Sequence, residues 1–336
     1  MQECKKVCVI GCGSSGLVLM KEMQCVGISF QCFEVMPKIG GVYAKSYENT
    51  ILTTSSLLTA WSDHSDGKEK EPTFWTSDQY LEYLQSFAIK HDLSKHVTFN
   101  CNVRTVKKCP QTQKWIVTTC HNIASQLSGQ KKNGTSATHE ISQERIQIHE
   151  FDAVAVCAGT NTFSSLPVFS GQENFKGELL HSEKYGSPHR FAGKRVLIVG
   201  TGESGSDIAN EVSKVAHSCA ISIRGKHGHI LPRIQCNGTV TDTNTNRCRY
   251  SNPYIVGDLI GYVNSLSKNL LATVQPDSEQ KRVLMKINEL NMLQKTSAFS
   301  KFGCKNEGFV RAMVARGAEL HRSDFHIRSD RVVFQD

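Results

Sequence analysis

Two six-residue stretches of this chain place three glycines at one spacing, and glycine at that spacing is what a phosphate needs from a polypeptide. They are Gly11-Cys12-Gly13-Ser14-Ser15-Gly16 and Gly200-Thr201-Gly202-Glu203-Ser204-Gly205. In G-x-G-x-x-G the first glycine allows a tight turn and the second lets the backbone approach a pyrophosphate. The third lets a helix pack closely on a strand. The free N–H groups and partial positive charge of the following helix then face the anion. Glu34 lies 18 residues beyond Gly16, at the end of a second apolar run, where a carboxylate can accept hydrogen bonds from a ribose diol. The second fingerprint lacks such an acid. Ser222 and Arg224 stand there with Lys226 behind, a basic pattern that suits a 2′-phosphate and so favours NADPH over NADH.

Each fingerprint needs a strand before it and a helix after it, and the apolar pattern supplies both. Val7 to Ile10 reads as a strand, Leu17 to Val26 as a helix and Ser29 to Phe33 as a second strand. Arg195 to Val199, Ser206 to Val215 and Ala220 to Ile223 repeat the order about 190 residues later. The prediction is an α/β chain with two dinucleotide-binding (Rossmann-like) domains. Tyr80 to Lys90 reads as an amphipathic helix, and Val97 to Val106 and Trp115 to Cys120 as strands of a sheet insert. His121 to Glu144 is polar and reads as an exposed hairpin loop, and Phe151 to Cys157 as an apolar strand. Arg282 to Leu293 is predicted helical, Phe309 to Leu320 a helix or turn, and His326 to Phe334 strands.

Composition excludes several classes. The charge of +8 comes from 39 basic and 31 acidic residues spread along the chain. It has no aromatic-interleaved basic stripe, so nucleic acid is not an expected partner. The 13 cysteines form no C-x-x-C pair, so no metal site is expected, and they read as reduced thiols of a cytoplasmic protein. No apolar run of 18 residues is present, so no membrane segment is expected. There is no G-x-S-x-G elbow and no H-E-x-x-H.

A third motif lies between the fingerprints. Phe175, Gly177, His181 and Tyr185 fit F-x-G-x-x-x-H-x-x-x-(F/Y) at every fixed position. Here the sequence resembles the flavin-containing monooxygenases, whose identifying motif this is. The resemblance also takes in Gly40-Gly41-Val42-Tyr43, Thr53-Thr54-Ser55-Ser56 and Gly200 to Ala209. It implies FAD along Gly11, Cys12, Gly13, Ser14, Ser15 and Gly16, with Glu34 on its ribose and Gly41, Val42 and Tyr43 beside it. Thr53, Thr54 and Ser55 would lie where flavin and nicotinamide meet, with Thr54 the candidate catalytic residue. Gly200, Gly202, Ser204, Gly205, Ser206 and Asp207 would hold the NADPH phosphates, with Arg224 on the extra one. His181 would have a structural or linking role.

The implied reaction is NADPH- and FAD-dependent oxygenation of a soft nitrogen or sulfur nucleophile by dioxygen through a flavin hydroperoxide, as in N,N-dimethylaniline monooxygenase activity. The family usually has Trp where Tyr43 stands and often Asn where Thr54 stands. A Baeyer–Villiger monooxygenase is the alternative; that group carries Trp at the position of Tyr185. The resemblance also implies that the NADPH domain is inserted in the FAD domain, with FAD binding over 1–165, NADPH binding and a substrate-side insert over 166–318, and a return over 319–336. The family's closing Thr-Gly-Tyr strand is absent, so the expectation is a C-terminally truncated or fragment member, with an inactive remnant as the further alternative. Residues 236–301 are expected to line the substrate route.

Overall fold

The computed structural model describes residues 5–65, 67, 71–122, 144–161, 164–223, 230–234, 240, 278–293, 304 and 306–335. Arg224, Lys226, the 123–143 stretch and, apart from Val240, the 236–273 stretch lie outside the described residues.

In chain order the elements are β1 (Lys6–Ile10), α1 (Ser14–Cys25), β2 (Ser29–Phe33), β3 (Ile51–Ser55), α2 (Ser56–Thr59), β4 (Phe74–Thr76), α3 (Ser77–Lys90), β5 (Val97–Thr98), β6 (Cys101–Lys108), β7 (Trp115–Asn122), β8 (Glu144–Phe151) and β9 (Ala153–Val156). They continue with β10 (Arg195–Val199), α4 (Glu203–Val212), β11 (Ser218–Ser222), α5 (Glu279–Met292), α6 (Gly308–Arg316), β12 (Glu319–His321), β13 (Phe325–Ile327) and β14 (Val332–Phe334). The chain divides into two units, Met1–Ser46 with Ser77–Phe163 and Tyr47–Thr76 with Ser164–Asp336.

The first unit is built on a parallel sheet of order β5-β2-β1-β9. Cys8 and Val9 of β1 are fully buried, because this strand is central and covered on both faces. The antiparallel sheet β6-β7-β8 packs beside it, and Cys8, Phe33, Cys101, Val117 and Phe151 form the shared core. The apolar run Phe151 to Cys157 is not one strand. It breaks at Asp152, whose side chain accepts the Lys6 N–H at 2.7 Å, so β8 serves one sheet and β9 the other.

The second unit holds a parallel sheet of order β10-β11-β12. Helices α4, α5 and α6 cover one face of it around Ile221, Val283, Ile287 and Phe309. Two segments differ from the sequence-based division. Residues 319–321 pair in parallel with β11, in the register Ala220↔Glu319, and so extend this second sheet rather than the first. The 47–76 segment, with the antiparallel pair β3–β4, also belongs here. Contacts of Tyr47 and Ile51 with α4 and Arg233 hold it in place.

Candidate cofactor sites

Each glycine turn is built the same way. Gly11 has φ +101° and Gly200 φ +98°, a positive-φ conformation that glycine adopts at little cost and other residues rarely adopt. A Cβ on Gly16 would fall onto the Gly11 carbonyl oxygen, and one on Gly205 onto the Gly200 oxygen. These third glycines are therefore required by helix-on-strand packing. Neither α1 nor α4 has a side-chain cap on its first turn. The Leu17 N–H bonds Gly13 O at 3.0 Å and the Ser206 N–H bonds Gly202 O at 2.9 Å, so the intrahelical ladder begins there. The N–H groups of residues 14–16 and 203–205 precede it and have no intrahelical acceptor.

In the first unit the turn is walled by protein. A Cβ on Gly11 would stand 2.6 Å from the Cys157 oxygen, and one on Gly13 would stand 3.4 Å from Gly41 Cα. Glu34 is buried and its two carboxylate oxygens take different donors, the Cys12 N–H at 2.6 Å and the Met36 N–H at 2.8 Å. The acid thus fixes the turn, and each oxygen keeps a lone pair for a ribose hydroxyl. Apolar side chains stand exposed around this carboxyl edge: Val35 at 55%, Val42 at 64% and Val156 at 74%. Tyr43 packs edge-on against Tyr80 at 4.9 Å, and Ser14 hydrogen-bonds the Tyr80 hydroxyl. Free N–H groups, a ribose-ready acid and exposed valines at a sheet's carboxyl edge together fit an FAD.

In the second unit, no atom of the described residues lies where a Cβ on Gly200 or Gly202 would go. Ser206 is fully buried, and its hydroxyl lies 3.4 Å from Cys304 Sγ. Asp207 also faces the protein. Its carboxylate accepts from Tyr47 at 2.8 Å and from Asn306 at 2.6 Å. Ser204 hydrogen-bonds the same Tyr47 hydroxyl. What this turn offers a phosphate is thus backbone N–H and the room left by Gly200 and Gly202, which suits the phosphates of an NADPH. Nothing in the sequence pattern singles out Tyr47, Arg233 or Asn306 as partners of this helix.

The motif between the fingerprints has a structural task at each fixed position. The Phe175 ring covers Gly177, where a Cβ would strike it. The Lys176 N–H bonds Ser329 O at 2.8 Å. His181 caps the turn Ser182–Lys184, its Nδ1 accepting the Glu183 N–H at 3.1 Å. Tyr185 is buried between Tyr47 and Phe191, at ring distances of 5.5 and 5.8 Å, beside Ile208 and Val212 of α4. Thr53, Thr54 and Ser55 close β3. The Thr54 and Thr59 hydroxyls lie 2.8 Å apart, and Ser55 is buried. No three His, Cys, Asp or Glu side chains among the described residues gather as a metal would require. No described helix is long and apolar enough to cross a membrane.

The flavin-binding monooxygenase-like family model matches residues 4–253, most of the chain. The chain belongs to the flavin-binding monooxygenase-like family. Members of this family use FAD and NADPH. Among its relatives is the 4-hydroxybenzoate brominase (decarboxylating) of Pseudoalteromonas luteoviolacea, 36% identical over 68% of this chain and 40% of the relative. Flavin-containing monooxygenase 2 of Homo sapiens is 36% identical over 71% of this chain and 43% of the relative. The chain thus spans about two fifths of the length of these curated flavin-binding monooxygenase-like relatives. Cyclohexanone monooxygenase from Rhodococcus sp. Phi1, a solved structure bound to NADP+, superposes with a TM-score of 0.61 over 98% of this chain and 67% of that one. At 16% identity it shares the fold with this chain.

Proposed function

We propose that this chain is the dinucleotide-binding part of an NADPH- and FAD-dependent monooxygenase that oxygenates soft nitrogen or sulfur nucleophiles. The observation that carries the reading is one glycine turn of matching geometry in each unit of a flavin-binding monooxygenase-like chain. Bound FAD, reduced by NADPH, supplies the oxygen-activating chemistry.

The protein's share is binding and orientation. Gly11 to Gly16 and Glu34 hold the flavin dinucleotide, with Gly41, Val42 and Tyr43 beside it. The first turn of α4, at Glu203, Ser204 and Gly205, holds the NADPH phosphates, and Arg224 takes the 2′-phosphate. The Thr54 hydroxyl, kept in place by Thr59, is the polar group at the reacting end. A soft nucleophile needs no protein base for this oxidation. His181, which caps a turn through Nδ1, is assigned structure rather than proton transfer.

The visible spectrum of the purified chain, followed by NADPH in air with a thioether, tests this. Flavin absorbance, NADPH consumption and sulfoxide are the expected results. A lactone formed from a cyclic ketone would replace the nucleophile assignment with Baeyer–Villiger chemistry, and bromination of 4-hydroxybenzoate would replace it with the chemistry of the brominase relatives. A protein that binds neither FAD nor NADPH would overturn the proposal.

A further inference from the structure

Asp207 lies just past the first turn of α4, the helix whose N-terminus faces the open glycine turn. Its carboxylate is a junction within the second unit. Oδ2 accepts the Tyr47 hydroxyl at 2.8 Å, and Oδ1 accepts Asn306 Nδ2 at 2.6 Å and stands 3.5 Å from the Arg233 guanidinium. Arg233 in turn donates to the Ile51 carbonyl of β3 at 3.2 Å, and its backbone N–H donates to the Glu307 carboxylate at 3.0 Å. Asn306 also donates to the Glu203 carbonyl in the first turn of α4 at 3.1 Å, and its Oδ1 accepts the Gly308 N–H that opens α6 at 2.8 Å.

One carboxylate therefore links four stretches of chain: residues 47–51 leading into β3, the start of α4, Arg233, and residues 306–308 leading into α6. The Arg233 and Asp207 side chains are only 13% and 15% exposed. A buried ion pair repays its desolvation only with further hydrogen bonds; Tyr47, Asn306 and Ile51 supply three here, while Arg233 Nε is buried with no partner among the described residues. Burial and the Asp207 charge also hold the Tyr47 hydroxyl above its ordinary range, so this donor stays protonated.

We propose that Asp207 is a positioning residue, whose carboxylate sets β3, with Thr53, Thr54 and Ser55 at its end, against the first turn of α4 and touches no phosphate of the dinucleotide. Two considerations separate this from a phosphate contact. A carboxylate facing phosphates would repel them. Both of its oxygens are also already engaged by protein donors. The inference rests on the proposed function only for what binds at α4 and what reacts beside Thr54.

The test compares Asp207→Asn and Tyr47→Phe with the parent chain by three measurements: amide hydrogen exchange over residues 47–59, NADP+ affinity by calorimetry, and the anaerobic rate of flavin reduction by NADPH. The expected result for Asp207→Asn is exchange at 47–59 faster by tenfold or more and flavin reduction slower by tenfold or more, with NADP+ affinity within threefold of the parent. Tyr47→Phe should loosen the same stretch by a smaller factor. If Asp207→Asn does not fold, Tyr47→Phe carries the test, and unchanged exchange at 47–59 overturns the proposal. Tenfold tighter NADP+ binding in Asp207→Asn, with exchange unaltered, also overturns it by putting the carboxylate beside phosphate. Failure of the parent chain to bind NADP+ or flavin would end the proposed function instead, and the exchange measurement would still decide whether Asp207 holds β3.

Discussion

Glu34 accepts the backbone N–H of Cys12 at 2.6 Å with one oxygen and that of Met36 at 2.8 Å with the other. A carboxylate can do this because both of its oxygens are acceptors. Glutamine cannot, since its amide nitrogen would meet one of the two N–H groups donor to donor. Glu34→Gln should therefore cost about 1–3 kcal/mol, the penalty for a buried donor left unpaired. It should also lower the flavin retained per protein. Thermal unfolding and the ratio of visible to ultraviolet absorbance check both. An unchanged melting temperature would contradict the role given to Glu34.

Gly202 and Gly205 should separate stability from binding. A Cβ on Gly202 meets no atom of the described residues, so Gly202→Ala should leave the melting temperature unaltered while weakening NADP+ by tenfold or more. A Cβ on Gly205 meets the Gly200 carbonyl oxygen, so Gly205→Ala should cost about 1–3 kcal/mol of overpacking and weaken binding as well. Calorimetric NADP+ titrations beside thermal melts read the difference. If Gly202→Ala binds NADP+ like the parent, the phosphates do not lie at this turn.

Tyr185 should tolerate loss of its hydroxyl. That oxygen is buried and finds no hydrogen-bond partner among the described residues, while the ring packs on Tyr47 and Phe191. Tyr185→Phe keeps the ring and removes a desolvated polar atom, so it should be neutral or stabilising by on the order of 1 kcal/mol. Urea unfolding measures it, and a loss of stability would reveal a partner for the hydroxyl.

Stability should fall at high pH, and Tyr80 gives a sign that can be worked out. Burial pushes its hydroxyl up to about 12 in the folded chain. The unfolded side chain ionises near 10. Above that pH the unfolded state holds fewer protons than the folded one, so the Tyr80 contribution, complete below pH 10, is lost as pH rises toward 12. Two pH units correspond to about 2.7 kcal/mol as an upper limit. Denaturation midpoints between pH 9 and 11 should decline less steeply in Tyr80→Phe than in the parent.

Local patterns made most of the fold legible. Both strand–turn–helix starts follow from glycine spacing and apolar periodicity, and the helix predicted at Tyr80 to Lys90 runs over Ser77–Lys90. The strands predicted at 97–106 divide at Asn100, whose positive φ of 52° breaks the pairing. The helix predicted over Arg282 to Leu293 appears as Glu279–Met292, begun by the Ser278 cap. The less legible features depend on distant partners. Tyr47 and Asp207 are 160 residues apart, and no periodicity connects them. The same holds for β12, which reads as the tail of a helix until β11 is beside it. Asp207 sits in the fingerprint helix and so reads as a phosphate ligand, although its type does not say which way a carboxylate points.

The two glycine turns differ in what surrounds them. Cys157 and Gly41 press on the first, while no described residue beyond the chain neighbours lies within 4 Å of where a Cβ on Gly200 or Gly202 of the second would stand. A nucleotide at the first turn would lie against this neighbouring backbone, whereas one at the second would meet less of the described chain. Under the proposed function, residence time would be partitioned: a nucleotide at Gly11 to Gly16 would stay as a resident prosthetic group, and one at Gly200 to Gly205 would exchange as a cosubstrate.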